Sequence, residues 1–218
     1  MVEPLTRCQK TFNQLLLAEH CMTEKRARKL WENIVHNENN GSSIINETGG
    51  ETFEDSISSS NEQLRYSGLE IVAISMANQG SSQSSGRYYA IINKDAEPIA
   101  KNCFKTLFPS NQIAYVRLVM EKLVDKEGGA VSRSTLINHR TDLPDPHKLG
   151  IDAAETVLEK LLEQKWLMFA NDENENRRQS NSAKLTLAPR AYMELSYLLI
   201  EEFGMDRDDL PQQIYYRV

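Results

Sequence analysis

Apolar residues recur at helical spacing near the start of the chain. In the stretch "RCQKTFNQLLLAEHC", the apolar residues that share one face of a helix are Cys8, Phe12, Leu15 and Leu16. A second stripe in "EKRARKLWENIV" consists of Ala27, Leu30, Trp31, Ile34 and Val35. Each stripe covers one side of a helix and leaves the other side polar, so the pattern predicts two short amphipathic helices.

The pattern fades between residues 37 and 63. This stretch, "NENNGSSIINETGGETFEDSISSSNEQ", is rich in Asn, Ser, Gly and Glu and poor in apolar residues. Such a composition cannot bury enough apolar surface to offset the entropy of ordering, and it predicts a largely flexible insertion. A third helix is predicted to begin inside it near Thr52 and to end at Gly68.

Strand patterns follow the third helix. "LEIVAISMAN" and "RYYAIIN" are rich in β-branched and aromatic residues, and the linker "QGSSQSSG" is too long for a two-residue turn. The sequence therefore predicts a β-hairpin with a loose tip, or wing. The predicted order up to Asn93 is helix, helix, helix, strand, wing, strand.

The same order is predicted again in the second half. One helix carries the stripe Ile113, Val116, Met120, Leu123 and Val124. Ser132 is the expected cap of the next helix, and Asp152 with Glu155 forms a capping-box-like pair for the third. The strands "KWLMFA" and "KLTLA" flank the wing "NDENENRRQSNSA". Pro189 is expected at the first position of a closing helix that ends at Gly204.

These elements predict an α+β fold, mainly α, of two tandem winged-helix domains. Each has three helices and a β-hairpin wing, and a C-terminal helix closes the second. The first domain is expected at residues 1–93, a connector at 94–108, the second domain at 109–204 and a tail at 205–218. At roughly 100 to 200 residues per domain, the length of 218 residues allows one or two domains. The repeated order of elements favours two small ones.

Charge and cysteine content narrow the functional classes. The chain has 25 Lys and Arg residues against 31 Asp and Glu residues, a formal net charge of -6. Long-range attraction to a phosphate backbone is therefore not a global property, and nucleic-acid contact requires a local patch or a basic partner. Three widely spaced cysteines without a signal-like segment indicate a reducing compartment, nuclear or cytoplasmic. No apolar run is long enough to predict a membrane span.

Catalytic and metal-binding motifs are not found in the sequence. The four histidines have no cysteine at ligand spacing, and CxxC, HExxH, GxSxG and phosphate-binding glycine loops are absent. The sequence predicts neither catalytic nor metal-ligating residues and no cofactor in this chain.

The third helix of each domain bears on whether the chain binds DNA, because this helix usually reads the major groove in helix-turn-helix proteins. Both helices are acidic, with Glu51, Glu54, Asp55 and Glu62 in one and Asp152, Glu155, Glu159 and Glu163 in the other. This argues against base reading, although a winged-helix transcription regulator remains the alternative. Candidate phosphate contacts are the basic residues Lys25, Arg26, Arg28, Lys29, Arg177, Arg178 and Lys184, for which solvated faces are the simpler interpretation.

The first and last helices carry more apolar residues than one stripe requires. The residues of these two helices that we predict to bind a partner are Phe12, Leu17, Met193, Leu198 and Ile200. Small monomers avoid contiguous exposed apolar patches, so such a surplus indicates a surface that another chain covers.

The chain resembles a known family in three places. "GRYYAIIN" is the return strand of the first wing, "VLEKLLEQKWL" enters the second, and "LTLAPRAYMELSYLLIEEF" closes it. In this order they are similar to the first non-SMC element subunit of the structural-maintenance-of-chromosomes (SMC) five/six complex. The likeness runs from about Phe12 to about Phe203.

This resemblance implies a scaffold role in the nucleus, in DNA repair, recombination and chromosome maintenance. It implies two partners, the MAGE-domain subunit and the kleisin subunit of the complex, with weak double-stranded DNA contact made mainly through the partner. Family members carry a zinc-binding RING domain after the closing helix, and with this domain they resemble ubiquitin ligases. The residues after Phe203 contain neither Cys nor His, so ligase activity and zinc are expected only of that RING domain.

Overall fold

The computed structural model describes residues 4–41, 51–77, 85–94, 104–125, 129–170, 180 and 182–214. The chain divides into two compact units. The first unit consists of residues 1–77, 84–95 and 211–218, and the second unit of residues 78–83 and 96–210.

The first unit opens with the order helix, strand, helix, helix, strand, strand. These elements are α1 (Arg7–Glu19), β1 (Met22–Thr23), α2 (Glu24–Gly41), α3 (Phe53–Leu64), β2 (Leu69–Ala77) and β3 (Ser85–Asn93), with a 3-10 turn at Arg65–Ser67 between α3 and β2. Strands β2 and β3 form the predicted antiparallel hairpin, from Leu69 opposite Asn93 to Ala77 opposite Ser85.

Aromatic rings join the helices of the first unit to its sheet. Phe12 of α1 meets Trp31 of α2 edge-on at 6.0 Å between ring centroids and Phe53 of α3 at 5.7 Å, and Phe53 meets Tyr89 of β3 at 5.5 Å. Edge-to-face contacts of this length add to the burial energy of the rings. Phe12 is thus a central core residue of the first unit.

The second unit repeats the order and adds two closing helices. Its elements are α4 (Ser110–Val124), β4 (Ala130–Ser132), α5 (Arg133–Asn138), α6 (Ile151–Glu163), β5 (Leu167–Phe169), β6 (Lys184–Leu187), α7 (Pro189–Glu194) and α8 (Ser196–Glu201). The sheet order is β4, β6, β5, all antiparallel. Trp166 lies in the core, and the ring of Phe104 approaches it to 5.8 Å.

A last strand, β7 (Gln213–Ile214), returns to the first unit. It pairs antiparallel with β2, Ala73 lying opposite Ile214, and extends the first sheet to the order β1, β3, β2, β7. The side chain of Ile214 packs against the core of the first unit. Residues 205–218, which the sequence analysis treats as a tail, therefore include a strand of the first unit.

The α+β fold, mainly α, is confirmed, and both units are consistent with winged helices. The two- and three-residue strands β1 and β4 were not predicted, since they are too short to show alternation. Predicted helix starts are confirmed: Ser132 caps α5 and accepts a hydrogen bond from the Thr135 amide, and Pro189 is the first residue of α7. Thr52, near which the third helix was predicted to begin, is the N-cap of α3.

Other local predictions are corrected. Helix α2 runs on to Gly41, into the stretch predicted as a flexible insertion, and residues 42–50 lie outside the described residues. Helix α3 begins inside the same stretch, as predicted, at Phe53. Gly150, not Asp152, is the N-cap of α6, because the helix begins two residues earlier than predicted. Phe104 and Phe108, placed in the connector by the sequence, belong to the second core.

The closing helix is broken at Leu195. This residue has φ -109° and ψ 9°, so α7 ends before it and α8 begins after it. Because the helical path is interrupted, a single stripe of about 100° does not describe which side chains are buried. Met193, Leu195, Leu198 and Leu199 are all buried as a result.

Candidate interaction surfaces

The first helix begins at a reciprocal cap. Thr6 Oγ1 accepts a hydrogen bond from the Gln9 amide at 3.2 Å, and the Thr6 amide donates to Gln9 Oε1 at 2.9 Å. This cap directs Cys8, Phe12 and Leu16 into the core. Leu15 and Leu17 flank that buried face on opposite sides, and both are exposed.

The apolar residues predicted to bind a partner divide into two groups. Leu17 is 46% exposed, and Ile200 is half-buried. Phe12 is only 1% exposed, and Met193 and Leu198 are each 2% exposed. The prediction of a surface position is therefore wrong for Phe12, Met193 and Leu198, which are core residues and cannot contact a partner in this conformation.

The basic residues of α2 also divide into two groups. Arg26 is paired with Glu19, to which its Nε donates at 2.7 Å. Arg28 lies between two carboxylates: it donates to Glu24 at 2.8 Å and pairs with Glu54 of α3. Its guanidinium also covers the Phe53 ring at 4.9 Å, a cation–π contact. Arg28 is thus a structural link between α2 and α3.

The pKa values agree with this assignment. Hydrogen bonds to Glu54 and then to Glu24 raise the pKa of Arg28 above its usual range. The hydrogen bond from Arg28 in turn lowers the pKa of Glu54, against the opposing effect of partial burial. Phosphate binding is consequently a better interpretation for Lys25 and Lys29 than for Arg28. Both lysines are exposed and lie one helical turn apart.

The second wing contributes one candidate that can be located. Lys184 is exposed at the start of β6, where it lies opposite Ser132 in the ladder with β4. Arg177 and Arg178 lie outside the described residues. The structure thus brings Lys25 and Lys29 together on α2 and places Lys184 on the wing of the second unit.

The acidic residues of the third helices have different environments in the two units. Glu51, before α3, accepts a hydrogen bond from Gln9 Nε2 at 2.8 Å, and Glu54 pairs with Arg28. On α6, Asp152, Glu159 and Glu163 are exposed, and Glu159 accepts from Arg133 at 3.0 Å. Neither helix presents a basic face to a groove of DNA.

Sequence reasoning missed two features of the first unit. Asn61 of α3 is fully buried and pairs with the backbone of β2: the Ile71 amide donates to Asn61 Oδ1 at 2.6 Å, and Asn61 Nδ2 donates to the Ile71 carbonyl at 3.0 Å. Tyr66, in the 3-10 turn, is 77% exposed. A buried Asn has no periodic signal, but "RYSG" at the end of a helix could have drawn attention to an aromatic residue outside any stripe.

A metal site requires clustered ligand side chains, and a membrane span requires a long apolar helix. Within the ranges that the structure describes, no group of three or more His, Cys, Asp or Glu side chains is placed to hold a metal ion. No helix among the described residues has the length and apolar character of a membrane span. Cys8 and Cys21 are both buried, and burial is the main cause that raises the pKa of the Cys8 thiol.

The fold defines the class of protein: a chain of two winged-helix-like units whose third helices are acidic. Residues 9–195 match the family described as Nse1 non-SMC component of SMC5-6 complex, and the chain belongs to this family.

Relatives and a solved structure agree with this assignment. The chain is similar to the proteins named non-structural maintenance of chromosomes element 1 homolog of Mus musculus and Homo sapiens, each 24% identical over 200 residues. The match covers 91% of this chain and 65% of each relative, so the chain spans under two thirds of their length. A chain of the solved Nse1-Nse3-Nse4 complex shares the fold, with a TM-score of 0.65 and 18% identity over 92% of this chain and 76% of that chain.

Proposed function

We propose that the chain is a non-catalytic scaffold subunit that binds the MAGE-domain subunit and, with it, the kleisin subunit of the SMC5-6 complex. The observation that carries the proposal is the family match over residues 9–195. The fold similarity to a chain of an assembly named for three subunits supports it. In this role the chain acts in the nucleus, in DNA repair, recombination and chromosome maintenance.

The flank of α1 that carries Leu17 is the proposed docking edge of the first unit. Leu17 is exposed and apolar, whereas Phe12 on the same helix is committed to the core. Ile200 is the remaining candidate in the second unit. An apolar side chain that becomes buried on binding contributes roughly 1.5 to 3 kcal/mol, and a charge at that position would stay unpaired.

The test replaces Leu17 and compares a matched position. Leu17→Asp should leave the circular dichroism spectrum unchanged but reduce co-purification with the MAGE-domain subunit. Leu15→Asp is the control, because Leu15 is similarly exposed on the opposite flank of the same helix. Native recovery of the partner with Leu17→Asp would show that the docking edge lies elsewhere. Equal loss with both variants would point to a general effect on α1.

Binding to DNA is proposed to be weak, independent of sequence and made mainly through the partner. Lys25, Lys29 and Lys184 are the exposed cations that support it, while Arg26 and Arg28 are engaged with carboxylates. Removal of one cation that neutralises a phosphate reduces the slope of log affinity against log salt by about 0.9. The double variant Lys25→Gln, Lys29→Gln should therefore lower the slope by roughly 2. An unchanged slope would remove α2 from the interface.

The proposal assigns no catalytic residue to this chain. In the family that it resembles, ubiquitin transfer is attributed to a zinc-binding RING domain, whose cysteine and histidine ligands are not among the residues after Phe203. A metal assay on the purified chain tests this assignment. One equivalent of tightly held zinc, or ubiquitin transfer by the chain alone, would contradict it.

A further inference from the structure

The turn between α3 and β2 exposes an aromatic side chain. Tyr66 is 77% exposed, although tyrosine is on average a partly buried residue. Among the residues that the structure describes, Tyr66 has neither a hydrogen bond nor a ring contact. The proposed scaffold role does not account for this side chain.

Two cations are held beside this turn by one buried carboxylate. Arg65 Nη2 lies 3.1 Å from Glu70 Oε1, and Lys94 Nζ lies 2.9 Å from Glu70 Oε2. The backbone fixes the arrangement, since the Lys94 amide donates to the Gly68 carbonyl at 2.8 Å. Arg65 and Lys94 therefore lie side by side, although 29 positions separate them in the numbering.

The carboxylate orients the cations without using all their donors. Burial raises the pKa of Glu70, but hydrogen bonds from Lys94 and Arg65 outweigh burial and lower it, so Glu70 remains ionised at neutral pH. An arginine has five N–H donors and a lysine has three. Both cations are about half exposed, so donors remain for a second anion.

The charge balance decides between classes of partner. Among the described residues at this turn, two cations and one carboxylate leave a single net positive charge, in a chain whose formal charge is -6. Nucleic acid that binds at physiological salt commonly needs about 6 to 10 phosphate contacts, which this patch does not supply. An exposed Tyr beside an Arg is instead the side-chain combination enriched at protein interface hot spots.

We propose that Arg65, Tyr66 and Lys94 form a docking point for an acidic segment of a partner protein. A carboxylate of the segment lies between the guanidinium and the ammonium, and a neighbouring aromatic side chain of the segment packs on the Tyr66 ring. Charge-assisted bonds to an Arg fork are about twice as strong as neutral ones and set the direction of the segment. This docking point goes beyond the proposed scaffold role and does not depend on which subunit supplies the segment.

The test uses the whole chain and a defined probe. The probe is a fluorescein-labelled octapeptide, Gly-Glu-Phe-Glu-Asp-Phe-Glu-Gly, titrated against the ¹⁵N-labelled chain. Saturable shifts are expected at the amides of Arg65, Tyr66 and Lys94. Tyr66→Ala should weaken binding about fivefold, the loss expected when an interface side chain that contributes about 1 kcal/mol is truncated. Tyr66→Phe should restore it, because the ring is the proposed contact.

Two comparisons separate the docking point from general electrostatic attraction. Arg65→Gln should weaken binding, whereas Arg7→Ala should not, since Arg7 is an exposed arginine of the first unit that pairs with Glu38 elsewhere. Tyr66→Ala changes no ion pair, so it can be interpreted even if Arg65→Gln reduces stability.

The proposal is overturned if Tyr66→Ala binds the peptide like the native chain, or if Arg7→Ala weakens it as much as Arg65→Gln. It is also overturned if a peptide with serine in place of both phenylalanines binds equally well. A 20-nucleotide oligothymidine that binds the same amides more tightly than the peptide would assign the patch to nucleic acid instead.

Discussion

The third helix has the same place in the order of elements in both units, but different contacts hold it against the rest of its unit. Helix α3 is Ser-rich, and its buried Asn61 pairs with the backbone of β2 while Glu54 pairs with Arg28. Helix α6 packs through Val157, Leu158 and Leu161 and keeps an exposed acidic face. The position of a carboxylate in a winged helix therefore does not determine whether it can bind a partner, because neighbouring cations can pair with it.

The comparison has a consequence for binding. Glu51 and Glu54 are engaged within the first unit, and its exposed features include Leu17 and the turn at Tyr66. The second unit instead presents the carboxylates of α6 to solvent. We expect the two units to bind different kinds of surface, apolar and acidic segments at the first and basic segments at the second.

The largest expected effect concerns the core of the second unit. Leu198→Asp should lower the free energy of unfolding by more than about 3 kcal/mol, because it places an unpaired charge in a buried position. Chemical denaturation measures the change. Leu17→Asp in the first unit is the control and should cost less than about 1 kcal/mol, as is usual for an exposed position. A Leu198→Asp protein of native stability would show that α8 does not contribute to the core.

Removal of the polar link in the first unit should have the next largest effect. Asn61→Ala leaves the amide and the carbonyl of Ile71 without their partner, which costs roughly 2 to 4 kcal/mol. Ser59→Ala, at a half-buried position of the same helix, should change stability by less than about 0.5 kcal/mol. Equal stability of the two variants would mean that α3, like α6, is held by apolar packing alone.

A smaller effect distinguishes the basic residues of α2. Arg28→Ala removes two ion pairs and a ring contact and should lower the free energy of unfolding by about 1 to 2 kcal/mol. Lys29→Ala, at an exposed position, should have almost no effect on stability. If Arg28→Ala weakens DNA binding while stability is unchanged, Arg28 is a phosphate contact after all.

The smallest expected effect is a contrast in pH dependence. The pKa of Glu54 in the first unit is lowered from 4.5, chiefly by its hydrogen bond with Arg28, so its contribution is present above pH 4.5 and is lost as pH falls further. Burial raises the pKa of Glu194 in the second unit, against the opposing effect of Arg190. Its ionised form is disfavoured by folding, so stability is lost as pH rises from 4.5 through the higher folded value.

Glutamine variants measure that contrast. Relative to the native chain, Glu54→Gln should be less stable at pH 7 and should approach native stability as the pH falls below 4.5 through the lowered folded pKa of Glu54. For Glu194→Gln the stability difference should change in the opposite direction. As pH falls over the same interval, the native chain should become more stable relative to this variant. Parallel pH profiles for the two variants would contradict the difference between the units.

The sequence predicted most of the helices, the first hairpin, the cap at Ser132 and the position of Pro189. It did so because helical and strand periods, Pro189 at a first turn and Ser132 before a helix are local signals that neighbours seldom override. It also led correctly to the family. It was wrong about the surface positions of Phe12, Met193 and Leu198, which are buried. In the closing helix, the break at Leu195 interrupts the continuous helix that an amphipathic stripe assumes.

The sequence by itself determined the order of the main helices and of the hairpin strands, the acidic balance and the family, because these depend on local pattern and on residue identity. Only the tertiary structure decided which charged groups are available and which apolar side chains are exposed. Arg28 and Glu54 lie 26 positions apart, and Asn61 reaches Ile71 across a turn. Strand β7 pairs with β2 from the other end of the chain. Such contacts form when distant segments pack together, and no periodic pattern in either segment records them.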